Sequence, residues 1–152
     1  MSAKTDGKGN AFSELMFEVT QTFYRFRAAG QAVGFVNDKG GGTVGFMRSL
    51  ALHGPMTVSD LARMRPTSRQ RMQQLADELD QAGLVEFIDN PAHKTAKLVR
   101  LTKKGQTQYR TMLENMSRLG ELLCSGLNEN DLRSATRILG SLRKRLSAER
   151  DD

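Results

Sequence analysis

The sequence predicts a mainly α-helical protein with one small β-hairpin and long helices towards both ends. Three observations predict it. Apolar residues recur in steps of three and four through most of the 152 residues, the period of a buried helical stripe. That period fails over "LVEFIDNPAHKTAKLVRL", where two short strand-like runs flank a Pro-containing loop. The helical segments are also bracketed by caps, with Thr or Asn ahead and Gly behind.

Residues 1–10 read as a flexible Gly- and Lys-containing tail, and 11–152 as a single domain. Phe12, Leu15, Met16, Val19, Phe23 and Phe26 mark a first helix that fades near Val36 and ends at "NDKGGG". A shorter helix through Phe46, Met47, Leu50 and Leu52 stops at "HGP". "MTVSDLARM" opens a third, with Thr57 as N-cap and Met56 and Leu61 as its hydrophobic staple. "PTSRQRMQQLADELDQAG" opens a fourth. Its expected N-cap is Thr67, Gln70 completes a capping box, Gly83 closes the end, and Met72, Leu75, Ala76 and Leu79 face inward. The hairpin follows. Tyr109, Met112, Met116, Leu119 and Leu123 then keep near-heptad spacing until "GLNEN". Asn128, flanked by Leu127 and Leu132, caps a last helix carrying Ala135, Leu139, Leu142 and Leu146. The stripes over about 11–36 and 106–149 exceed what so thin a domain can cover, so a homodimer through these helices is expected.

Charge placement narrows the function. The balance is basic, 23 Lys and Arg against 17 Asp and Glu, for a net +6. A basic balance favours polyanions, nucleic acid first. Arg63, Arg65, Arg69 and Arg71 fall within nine residues with no acid between them. Like charges so close repel on a helix, and an anionic partner relieves the repulsion. Two short helices around a tight turn, followed by a hairpin, describe a winged helix-turn-helix over about 55–102. In that motif the second helix enters the DNA major groove with its N-terminal residues on base edges. Thr67, Ser68, Arg69, Gln70, Arg71 and Gln74 are therefore the expected contacts, with Arg63 and Arg65 flanking the turn where phosphates run. Arg forks onto guanine and Gln onto adenine. Lys94, Lys97, Arg100, Lys103 and Lys104 add a second acid-free cluster around the wing, and His93 sits on its tip.

The run "MTVSDLARMRPTSRQRMQQLADELDQAGLVEFIDNPAHKTAKLVRLTKKG" resembles the core of the multiple-antibiotic-resistance regulator (MarR) family. The sharpest part is Leu79, then Gly83-Leu84-Val85, a wing, and Leu101-Thr102-Lys103-Lys104-Gly105 opening the next helix. The flanking long helices match as well. The resemblance implies a cytoplasmic homodimeric transcription regulator, usually a repressor, on a pseudo-palindromic operator in double-stranded DNA. It also implies a small-molecule effector cleft between the dimer helices and the DNA-binding lobe, for which Met16, Phe46 and Met47 are candidates. At helical spacing such residues are more often plain core. Two departures stand out. Where family wings commonly carry Asp-Arg-Arg, this chain has His93-Lys94-Thr95, and a common Thr-Arg pair reads Gln73-Gln74.

Other readings are weaker. "GGGTVG" has the form of a dinucleotide-binding loop, but that motif needs a preceding buried strand, and a helix precedes it here. Two distant histidines and one cysteine argue against zinc. Cys124 is a buried inert thiol or an oxidant sensor, the former favoured by its place beside an apolar stripe. No catalytic triad or acid–base pair is evident, so no enzyme activity and no cofactor are expected; Asp77, Glu78 and Asp80 fit a helix leaving the phosphate zone. No apolar run approaches the ~20 residues that span a bilayer, and no membrane partner is expected. The main alternative is a winged-helix module that docks on a protein.

Overall fold

The computed structural model describes residues 7–32, 42–65, 67–93 and 95–148. It confirms a mainly helical chain with a small antiparallel sheet. The chain divides between Met116 and Ser117 into two compact units.

In the first unit, helix α1 (Gly7–Ala32) starts within the segment expected to be a tail. Residues 1–6, and the expected fade of this helix near Val36, lie outside the described residues. Phe12, Phe17, Phe23 and Tyr24 of α1 are exposed, with Phe17 at 71%. Helix α2 (Gly42–His53) buries Phe46, Met47 and Leu50. It stops at Gly54, whose φ of 76° is a left-handed conformation that glycine adopts without strain.

Strand β1 (Met56–Thr57), helix α3 (Val58–Arg63), helix α4 (Arg69–Gln81), strand β2 (Val85–Ile88) and strand β3 (Leu98–Leu101) follow. The sheet order is β1-β3-β2, all antiparallel, with Thr57 opposite Leu98 and Glu86 opposite Arg100. The hairpin was expected; the two-residue β1 was not, because Met56 and Thr57 carry staple and cap signals that mask so short a strand. Both signals are nevertheless realised. Thr57 Oγ1 accepts the Asp60 amide at 3.1 Å, while Leu61 is buried and Met56 packs on the core.

The core gathers Phe46, Leu61, Met72, Val85 and Val99, all essentially inaccessible to solvent. They come from α2, α3, α4, β2 and β3, so one apolar cluster ties the helix-turn-helix to its hairpin. At roughly 1.5–3 kcal/mol for each large apolar side chain fully buried, this cluster is the main stabilising force of the lobe.

Helix α5 (Lys103–Leu123) opens where the sheet ends. Thr102 Oγ1 accepts the Gly105 amide at 3.0 Å and donates to Gly83 O at 2.7 Å. Gly105 presses on the backbone of Leu84: a Cβ would overlap its carbonyl oxygen and lie 2.9 Å from its carbonyl carbon. The "GLV…LTKKG" pattern thus has a local physical basis. One residue must lack a side chain where the helix crosses the strand entry.

The second unit holds the end of α5 and helix α6 (Glu129–Ala148), which has no buried residue. Asn128 caps α6 as expected, its Oδ1 accepting the Asn130 amide at 2.8 Å. Leu127 and Leu132, expected as a staple, are both exposed.

Candidate nucleic-acid interface

Helix α4 is set by its two ends. Its N-cap is Ser68, not Thr67: Ser68 is extended (φ −72°, ψ 152°) and its hydroxyl accepts the Arg71 amide at 3.1 Å. Thr67 instead donates its amide to Arg65 O at 2.8 Å, which holds it in the turn. The expected Thr67–Gln70 capping box is therefore replaced by Ser68 one residue later. At the other end Gly83, with φ 70°, completes a Schellman motif. Its amide donates to Asp80 O at 2.8 Å, and the Leu84 amide to Leu79 O at 2.9 Å.

Between these ends Met72, Leu75, Ala76 and Leu79 are buried, as the spacing predicts. The opposite face then has to be solvent-facing. Ser68, Arg69, Gln70 and Gln74 are exposed there, and Arg71 is half-buried. Gln73 is exposed too and donates to Asp77 at 2.8 Å. A capped helix N-terminus carrying two arginines concentrates positive potential at one point.

The arginines of the turn behave differently from one another. Arg63 is exposed and forms an ion pair with Asp60, an acid just outside the acid-free run. Asp60 in turn accepts from Thr57 Oγ1 at 2.6 Å, and this hydroxyl, ahead of the Arg63 charge, holds its carboxyl below the ordinary carboxylate value. Arg65 is half-buried and points back onto α2, where Nη1 donates to Gly42 O at 3.3 Å. Partial burial lowers its pKa from the ordinary guanidinium value. Arg65 thus turns towards α2, apart from the open Arg69.

The wing tip is shaped by Asn90, whose Oδ1 accepts the Ala92 amide at 3.0 Å and whose carbonyl accepts the His93 amide at 3.2 Å. His93, Thr95 and Lys97 are exposed, and Lys94 lies outside the described residues. Two of the basic residues around the wing have partners that sequence counting missed. Arg100 pairs across the sheet with Glu86 at 2.8 Å, as direct register partners. Lys104 Nζ donates to Ala82 O at 2.7 Å, next to the C-terminal end of α4 where a cation is favoured. A groove between α4 and the wing is lined by Arg69 and Lys97 and by the acids Asp77, Asp80 and Glu86.

Phe46 and Met47 are fully buried, so they are core and not walls of an effector cleft; Met16 is half-buried on α1. Of "GGGTVG", Gly42 to Gly45 form the first turn of α2, and Gly40 and Gly41 lie outside the described residues. His53 ends α2, as expected. Cys124 is half-buried just past α5.

A family model described as "MarR family" matches residues 44–94. An uncharacterized protein of Mycobacterium tuberculosis is 30% identical over 95 residues, which is 62% of this chain and 66% of that protein. The fold is shared with a MarR protein from Peptoclostridium difficile, with a TM-score of 0.70 at 16% identity over 98% of this chain and 94% of the other. It is also shared with the PcaV transcriptional regulator of Streptomyces coelicolor, crystallised with its natural ligand, with a TM-score of 0.68 at 14% identity over 94% and 98%. Over residues 44–94, from α2 through the helix-turn-helix to the tip of the wing, the chain matches the MarR family model, and its fold is that of solved MarR-family regulators.

Proposed function

We propose that this chain is a sequence-specific DNA-binding regulator of transcription, a homodimer that represses by occupying a pseudo-palindromic operator in the cytoplasm. One observation carries the reading. The buried face of α4 forces Arg69, Gln70 and Gln74 outward at a capped N-terminus, on the lobe that also presents His93 and Lys97 at the wing. In this reading Ser68, Arg69, Gln70, Arg71 and Gln74 meet the major groove, with Thr67 at the edge of the turn. Arg63 reaches a phosphate once it leaves Asp60. The wing, with His93, Lys94 and Lys97, lies on the backbone or minor groove. The protein acts by binding and catalyses nothing.

Two recognition helices in successive major grooves must lie about 34–36 Å apart. A small ligand that changes that spacing would release the operator; the PcaV transcriptional regulator, which shares the fold, was solved in complex with its natural ligand. Cys124 offers an oxidant-responsive variant of the same control.

Titration of the promoter region of its own gene, in competition with random duplex, tests the reading. A specificity ratio well above one at physiological salt is expected, and a ratio near one would defeat it. Arg69→Ala and Arg71→Ala should each weaken binding by about 1–3 kcal/mol if they read bases.

A second reading has its own observation. Asp77, Asp80 and Glu86 line the groove between α4 and the wing, a poor lining for phosphate and a fair one for a basic protein segment. If those arginine variants spare DNA binding but lose a protein partner, the docking module replaces the regulator.

A further inference from the structure

Arg65 stands apart from the other arginines of its cluster. Its guanidinium is half-buried over the first turn of α2, 23 residues upstream, where Nη1 donates to Gly42 O at 3.3 Å. The floor of that seat is Gly45. A Cβ at Gly45 would overlap Nη2 and lie 2.5 Å from Cζ and 2.6 Å from Nη1. Gly42, one turn earlier, faces α4 in the same way: a Cβ there would sit 3.0 Å from Leu75 Cδ2. The two glycines therefore shape the start of α2 to receive the turn of the helix-turn-helix on one side and the buried face of α4 on the other.

The backbone of Arg65 is placed as firmly as its side chain. Its amide donates to Ala62 O at 3.2 Å and its carbonyl accepts the Thr67 amide at 2.8 Å, directly ahead of the Ser68 cap. A side chain held on α2 at one end and a backbone held in the turn at the other form a strut that sets where α4 begins.

We propose that Arg65 is a positioning residue for DNA recognition, seated in the notch at Gly45, and that it orients the recognition helix without touching phosphate. This rests on the regulator reading above, and it assigns one of the four clustered arginines a role opposite to the one its charge suggests.

Gly45→Ala makes the discriminating experiment, because it keeps the arginine and expels it. The obstructed atoms are the far end of a flexible side chain, so α2 keeps its fold while Arg65 swings into solvent. The probes are a duplex enriched by the wild-type chain from a random pool and a random duplex of equal length. Thermal unfolding confirms that each variant is folded. Positioning predicts that Gly45→Ala and Arg65→Ala each weaken the enriched duplex by about tenfold or more, comparable to one mismatched base pair, and change the random duplex little. The log–log salt slope should stay unchanged in both, and the double variant should be no worse than either single one.

Direct phosphate contact predicts something else. Arg65→Ala would then lower the slope by about 0.9 per protomer and weaken both duplexes alike, while Gly45→Ala would strengthen binding by freeing the charge. Either result overturns the proposal, as does wild-type affinity and specificity in both variants. If the wild-type chain enriches no duplex, the regulator reading itself fails. Hydrogen exchange then decides the strut alone: faster amide exchange at Met64, Thr67 and Ser68 in both variants supports it, and unchanged exchange removes it.

Discussion

Arg63, Arg65, Arg69 and Arg71 share one short segment and meet different surroundings. Arg63 is paired with Asp60, Arg65 is seated on α2, Arg69 is open at the start of α4, and Arg71 is half-buried within its first turn. The sequence separates base-facing Arg69 and Arg71 from phosphate-facing Arg63 and Arg65, but not Arg63 from Arg65. The Asp60 pairing is a local i,i+3 relation visible in the sequence, whereas the Gly42 carbonyl, 23 residues away, is brought to Arg65 only by the fold. The Asp60 network makes a prediction at this scale. The Thr57 hydroxyl, then Arg63, lowers the carboxyl below its ordinary value of 3.8 in the folded state. A group whose folded pKa is depressed contributes stability above the unfolded value, and that stability disappears as the pH falls through the folded one. Unfolding monitored between pH 6 and pH 3, an interval bracketing the ordinary carboxylate range of about 4, should therefore show a loss below about pH 4 that Asp60→Asn lacks. The exposure of the pair keeps the effect small.

Among elements, α4 was the most legible and β1 the least. The inward residues of α4 and its closing glycine follow from period and cap chemistry, which are local properties. The start of α4 was misplaced by one residue because Thr67 and Ser68 are both good caps. The choice is made by the turn, which draws the Thr67 amide to Arg65 O. Ser68→Ala should accordingly cost about 1 kcal/mol of stability, the usual worth of an N-cap. Thr67→Ala should cost measurably less by denaturant unfolding, and equal losses would restore the earlier register. Strand β1 has only two residues and exists through pairing with β3, more than 40 positions later, so no local signal announces it. The partners of Arg100 and Lys104, counted in the acid-free wing cluster, are hidden for the same reason. Their partners, Glu86 and Ala82 O, are brought to them by the sheet and by the crossing of α5.

At the scale of the molecule, the exposed apolar residues of α1 and α6 are the largest unspent resource. Phe17, Phe23 and Tyr24 on α1, and Ile138, Leu139 and Leu146 on α6, are large apolar side chains exposed on two long helices. A homodimer that covers them is the proposed state. Sedimentation at micromolar concentration should report a dimer, and Leu139→Asp with Leu146→Asp should shift it to monomer and abolish specific DNA binding. A monomeric wild-type chain would contradict the assembly while leaving the fold intact.

Thr57 belongs to two elements at once. It pairs with Leu98 of the hairpin, and its hydroxyl fixes the first turn of α3. Helix α3 and the base of the hairpin are thereby joined through one residue, so in the proposed regulator a shift of the recognition helix carries the wing with it. If the chain acts on DNA as proposed, dissociation should proceed as one kinetic event in which recognition helix and wing are released together.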